Sequence, residues 1–177
     1  GRPSPLPAPV ALPAGGRRAA GAEHDRSVAY WRGELSGELP VLELPTDRPR
    51  PAREAIVGAR HGFRIPAGLH EELRAAAARD RSTVYGLLLA AYAVTLHRIT
   101  GGLDLVVGAP VDEREGAAEQ ALIGFFVNTL PLRLRLRPGQ TFTETARHAG
   151  EVVRGALTHG IPFGDIVRET NPPRLPG

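Results

Sequence analysis

The stretch Ile123-Gly124-Phe125-Phe126-Val127-Asn128-Thr129-Leu130-Pro131-Leu132-Arg133 decides how this chain is read, because it sets a carboxamide and a hydroxyl inside an otherwise apolar strand. From Phe126 the even positions are Phe126, Asn128, Leu130, Leu132, Leu134 and Leu136, while Arg133, Arg135 and Arg137 take odd ones. Alternation of this kind marks a strand with one buried face and one solvated face. Asn128 therefore falls in the buried column, and the arginines fall on the solvent side. Pro131 donates nothing to a ladder, so it asks for an edge strand or a bulge. A buried amide without partners costs about 1 to 3 kcal/mol, so Asn128 is either satisfied by a neighbouring loop or faces a polar channel.

Outward from that strand the elements follow in order. A helix is expected from Asp25 to Leu35 with Tyr30 and Trp31 as packing anchors, then an extended path through Gly37 and the prolines from Pro40 to Pro51. Arg60 to Ile65 reads as a strand, and Pro66 suits the first turn of a helix over Ala67 to Arg81. Ser82 is placed to cap the next helix, which is apolar on most sides from Val84 to Leu96 and so expected between layers. Gly101 and Gly102 end it, Leu103 to Val107 is an apolar strand, and Asp112 to Gln120 a polar loop. After the Asn128 strand, Pro138-Gly139 turns the chain. Thr141 caps a helix to about Thr158 with Phe142, Ala146, Val152, Val153 and Ala156 inward, and Ile161 to Thr170 is a loop with a short helix. Strands mixed with helix pairs indicate an α/β two-layer sandwich.

The 177 residues suffice for one core plus an arm over residues 1–22, which is rich in Pro, Ala, Gly and Arg. The chain has no cysteine, which removes disulfides and thiolate metal sites and fits a cytoplasmic location. No apolar run reaches the length of a membrane span. The net charge is only +3, and the isoelectric point near 10.1 reflects basic residues that are all arginine. Without a dense basic run interleaved with aromatics, nucleic acid is not an expected partner. Asp112, Glu113 and Glu115 lack a second ligand cluster, so no metal site is expected. No serine stands in a G-x-S-x-G setting.

Several ordered segments together resemble the condensation domains of nonribosomal peptide synthetases. IGFFVNTLPLR is similar to the fifth core motif of that family. Tyr30-Trp31-Arg32-Gly33-Glu34-Leu35 and Leu42 to Pro51 resemble the segment leading into its C-terminal lobe. Leu88 to Tyr92 with Leu96-His97-Arg98, then Val106 to Val111 with Arg114, resemble its long helix and following strand. His159-Gly160-Ile161-Pro162-Phe163 resembles the sixth motif, with Gly160 departing from the polar character usual there. The resemblance implies one lobe of a chloramphenicol acetyltransferase-like fold: residues 23–59 leading in and 60–177 forming the C-terminal lobe. It further implies that Gly124, Phe125, Asn128 and Thr129 line the substrate tunnel, and that Arg114, His159, Pro162 and Phe163 belong to loops or a docking surface.

On that reading the full domain forms an amide between aminoacyl or peptidyl thioesters tethered by phosphopantetheine to carrier proteins, and no cofactor is bound directly. The family's paired-histidine signature is absent, since the histidines at 24, 61, 70, 97, 148 and 159 are never adjacent. The chain alone is therefore expected to be inactive and to work with the N-terminal lobe of the same domain and with carrier domains. Residue by residue, His159 reads first as a helix-end cap, His97 likewise, Arg114 as a solvated charge, and Pro162 with Phe163 as an apolar pin. A carrier-binding scaffold, or an ester-forming or epimerising relative, is the alternative. A lobe without its partner is expected to self-associate or be marginally stable.

Overall fold

A computed structural model describes residues 21–48, 58–80, 82–114, 119–120 and 122–173. Helix α1 (Ala22–Glu34) is followed by an extended strap, then α2 (Ala67–Arg79) and α3 (Val84–Thr100), strands β1 (Asp104–Asp112) and β2 (Val127–Arg135), and helices α4 (Phe142–Thr158) and α5 (Phe163–Thr170). The two strands pair antiparallel in unbroken register, Asp104 opposite Arg135 through Asp112 opposite Val127. Leu130, Leu132, Leu134 and Leu136 join Leu105 and Ala109 on one sheet face, with Ala146, Ala149 and Ala156 of α4 in the same core. Helix α4 packs on β2 and α3 on α4, which gives the sheet layer and helix layer of an α/β sandwich.

The register explains Pro131 without a bulge. Leu136 N donates to Leu103 O and Glu113 N to Phe126 O, so the ladder bonds of β2 belong to even positions. Pro131, opposite Gly108, is odd, and its missing N–H would have pointed away from β1. Among the described residues that side of β2 carries no strand, so the edge alternative is realised.

Four local expectations are corrected. Arg60 to Ile65 is unpaired and exposed, because alternation alone supplies no neighbouring edge to bond. The cap of α3 is Thr83, whose hydroxyl accepts from Gly86 N, while Ser82 Oγ is buried without a partner at the crossing of α3 and α4. That crossing is close: a Cβ on Gly86 would lie 2.9 Å from Ser82 Oγ and 3.6 Å from Gly150 Cα. Helix α3 is not enclosed, since Tyr85, Leu88, Tyr92 and Ile99 are exposed along one side. Phe142 is also exposed, because it begins α4 ahead of the turns that meet the sheet.

Other readings hold with adjusted ends. Helix α2 stops at Arg79 instead of Arg81, and β1 extends to Asp112. Thr141 caps α4 in a capping box: its hydroxyl accepts from Glu144 N, and the Glu144 carboxylate accepts from Thr141 N at 2.7 Å. Helix α3 closes at Gly101, in the left-handed conformation, with His97 Nδ1 3.0 Å from Gly102 O. Most of the proposed arm, residues 1–20, lies outside the described residues, as do 49–57 of the strap and 115–118 of the polar loop.

Candidate functional site

Asn128 is 8% exposed and its carboxamide is engaged on both sides. Nδ2 donates to Ile161 O at 2.9 Å, while Oδ1 accepts from Phe163 N at 3.0 Å and from Thr129 N at 2.9 Å. Both lone pairs of Oδ1 are used, and one N–H remains. The bond from Phe163 N has a local cause. Pro162 is the N-cap of α5 and provides no side-chain acceptor, so the first orphan N–H of that helix is satisfied from β2 instead. The amide thus clasps the turn from His159 to Phe163 across more than thirty residues of sequence, taking one carbonyl and one N–H from it.

The same turn is held from the other side by α1. Trp31 Nε1 donates to His159 O at 2.7 Å, and the Tyr30 ring stacks on the His159 imidazole with centroids 4.4 Å apart and planes 20° apart. Tyr30 meets Trp31 edge to face at 5.0 Å. Burial, with the Glu34 carboxylate adding to it, pushes the Tyr30 phenol up to about 12. His159 is the C-cap of α4, as its position suggested. Pinning the turn does not rest on Pro162 and Phe163 alone: Pro162 is half-buried, and Phe163, at the start of α5, is 45% exposed. Hydrogen bonds from Asn128 and Trp31 hold it as well.

Beside this turn, at the same end of the sheet, stands the loop before β2. Ile123 is 96% exposed and Phe125 89%, and Gly124 between them is exposed too. Phe126 is tied down by its carbonyl to Glu113 N and carries the Arg114 guanidinium 4.4 Å above its ring. Arg114 also pairs with Asp112 at 3.0 Å. Hydrogen bonding from the Arg114 amide, then from its side chain, holds the Asp112 carboxyl below its ordinary value. Arg114 is therefore not a free loop charge; it closes the end of its own strand pair. The structure brings Arg114, Gly124, Phe125, Asn128, Thr129, His159, Pro162 and Phe163 to one edge of the molecule. Among the described residues no group of three or more His, Asp or Glu is placed to hold a metal ion.

Two residues escaped the sequence reading. Trp31 was legible as a packing anchor but not as a donor, although a buried indole N–H always needs an acceptor. Arg133, placed by alternation on the solvent side, is 6% exposed. Its guanidinium meets both Asp104 oxygens and the carbonyls of Glu34, Ser36 and Glu38. Its bonds to Asp104 hold it above its usual range. Glu34 O is a terminal carbonyl of α1, so a cation here also complements that helix end.

A family model described as Condensation domain matches residues 16–175. Phosphinothricin tripeptide synthetase PhsC of Streptomyces viridochromogenes is 40% identical over 148 residues, a match covering 83% of this chain and 14% of that protein. The first condensation domain of the calcium-dependent antibiotic synthetase, solved in complex with a substrate analogue, superposes with a TM-score of 0.70 at 31% identity. That match covers 85% of this chain and 32% of the solved one. The X-domain from teicoplanin biosynthesis, solved in complex with OxyB, gives a TM-score of 0.78 at 30% identity, over 86% of this chain and 34% of that one. The chain thus spans about a seventh of the curated relative and a third of each solved domain.

Proposed function

The chain belongs to the condensation-domain family, and from that premise we propose that it is the C-terminal lobe of a nonribosomal peptide synthetase condensation domain, supplying one wall of the channel in which two tethered substrates meet. The fold is one lobe of the chloramphenicol acetyltransferase-like α/β type. In the whole domain the amine of an acceptor aminoacyl group attacks the thioester carbonyl of a donor; the C–N bond forms, the C–S bond breaks, and the phosphopantetheine thiol leaves with a proton. The group that takes the amine proton comes from the N-terminal lobe, because no adjacent histidines exist in this chain. Asn128 has no basic atom to offer and serves through hydrogen bonding.

The observation that carries this reading is the convergence of the Asn128-clasped turn with the exposed Gly124-Phe125 loop at one sheet end. A wall of this kind positions; it does not ionise. Carrier protein domains bearing phosphopantetheine arms are the partners, with no cofactor held directly and a cytoplasmic setting. No helix among the described residues is long and apolar enough to cross a membrane.

Reconstitution with an N-terminal lobe and two loaded carriers is expected to yield the amide product, while the chain alone yields none. A well-folded pair without turnover, or product from the isolated chain, overturns the proposal. A second reading, a non-catalytic protein-binding module, is favoured by the similarity to the X-domain bound to OxyB. It requires carrier or enzyme binding without transfer in the reconstituted pair, which a titration with loaded and unloaded carrier separates. The exposed Tyr85, Tyr92, Ile99, Ile123 and Phe125 support self-association of the lone lobe, which sedimentation at rising concentration will show.

A further inference from the structure

Trp31 is the single tryptophan of the chain, and at 1% exposure its ring is wholly enclosed. An enclosed indole contributes mainly through its area, and any aromatic of similar size supplies that. The N–H does something a phenyl ring does not: it meets the His159 carbonyl at a separation of 128 residues. That carbonyl follows the last turn of α4, where His159 N still bonds Gly155 O and Gly160 N bonds Leu157 O. Beyond Gly160, Ile161 O and Phe163 N belong to Asn128, while Pro162 O accepts from Asp165 N and Ile166 N of α5. The four residues between the two helices, together with Phe163 at the start of α5, are thus held from outside at three points, one from α1 and two from β2.

The aromatic neighbour keeps the donor in place. Tyr30 lies against His159 and over Gly155, where a Cβ would come within 2.5 Å of the phenolic oxygen. Arg32 on the same helix pairs with Glu169 of α5 at 2.8 Å. Helix α1 therefore touches the end of α4, the turn and α5 together. We infer that Trp31 is a positioning residue for the site: its indole N–H, acting through the His159 carbonyl, sets the turn that Asn128 clasps, so the orientation of α1 sets the orientation of the wall. The functional half of this inference rests on the condensation reading; the structural half does not.

The test separates the two. Incorporating β-(3-benzothienyl)alanine at position 31 of the 177-residue chain replaces the N–H by sulfur and keeps the ring shape, whereas 5-fluorotryptophan keeps the N–H. Amide exchange by NMR is expected to be about five- to tenfold faster at Phe163 in the sulfur variant, with amides of α3 and β1 unchanged and the fluoro variant like the parent. Unchanged exchange at Phe163, or equal acceleration throughout the chain, overturns the inference. In the pair reconstituted with an N-terminal lobe, the sulfur variant is expected to lower kcat with little change in KM for loaded carrier. A kcat equal to the parent's also overturns it. If the parent pair makes no product, the condensation reading fails while the exchange result still decides the role of Trp31.

Discussion

Strand β2 buries a polar side chain at each end, and the two ends are built on different physics. Asn128, neutral, sits on the helix-facing side and clasps a turn with two bonds, while a third, from Thr129 N, ties it to its own strand. Arg133, charged, sits on the other side and gathers the Asp104 carboxylate of β1, the last carbonyl of α1 and two carbonyls of the strap that follows it. An amide can be buried with little desolvation cost once paired, and its loss leaves dipoles unmet. A guanidinium costs far more to bury, and its loss leaves a charge and several carbonyls stranded at once. One end of the strand is suited to shaping a site and the other to holding the lobe together.

That contrast is broken or sharpened by substitution. The largest effect is expected for Arg133→Leu, which strands Asp104 and the strap carbonyls. A loss of about 3 kcal/mol in urea unfolding is anticipated, with Arg133→Lys recovering part but not the bidentate geometry. A loss below about 1 kcal/mol would reduce Arg133 to a surface pair. Next comes Asn128→Ala, expected to cost about 2 kcal/mol and to raise exchange at Phe163 more than at Leu132, whereas Arg133→Leu loosens the strap first. Were both variants to loosen the same amides, the two ends would be one unit.

The smaller effects concern regions beside the two ends. Thr141→Ala removes the capping box of α4 and is expected to cost about 1 kcal/mol. Hydrogen bonds from the Thr141 amide and hydroxyl hold the Glu144 carboxyl below its ordinary value. Its contribution is therefore present above the unfolded carboxylate range and is lost as pH falls through the depressed folded value. In Thr141→Ala, which keeps the amide donor and loses the hydroxyl, that acid-side dependence should diminish without vanishing in urea midpoints measured between pH 6 and pH 3. The smallest change in stability is expected for Phe125→Ser, within about 0.5 kcal/mol, since the ring touches little. In the reconstituted pair the same substitution should reduce turnover, and a variant that is both stable and fully active would remove the loop from the proposed wall.

The legibility of these features follows from how local their causes are. The Asn128 column could be read because a period of two needs only consecutive residues, and Thr141 because a cap acts within one turn. Arg133 could not, since its burial is decided by carbonyls 95 to 99 positions earlier. Arg60 to Ile65 read as a strand, but a strand is made by its neighbour's edge, which no local pattern contains. Between Ser82 and Thr83 the residues offer the same chemistry, and only the close crossing at Gly86 separates them. Which positions gather at that end of the sheet was legible; who bonds to whom among them was not.

The span of the Trp31 bond has a consequence during synthesis. Helix α1 leaves the ribosome well before its acceptor carbonyl, and a gap of 128 residues corresponds to roughly 6 to 25 s of translation. Over that interval the indole has no native lodging, while α2, α3 and the strand pair can already assemble from nearer contacts. Docking of α1 is then a closing event in biogenesis.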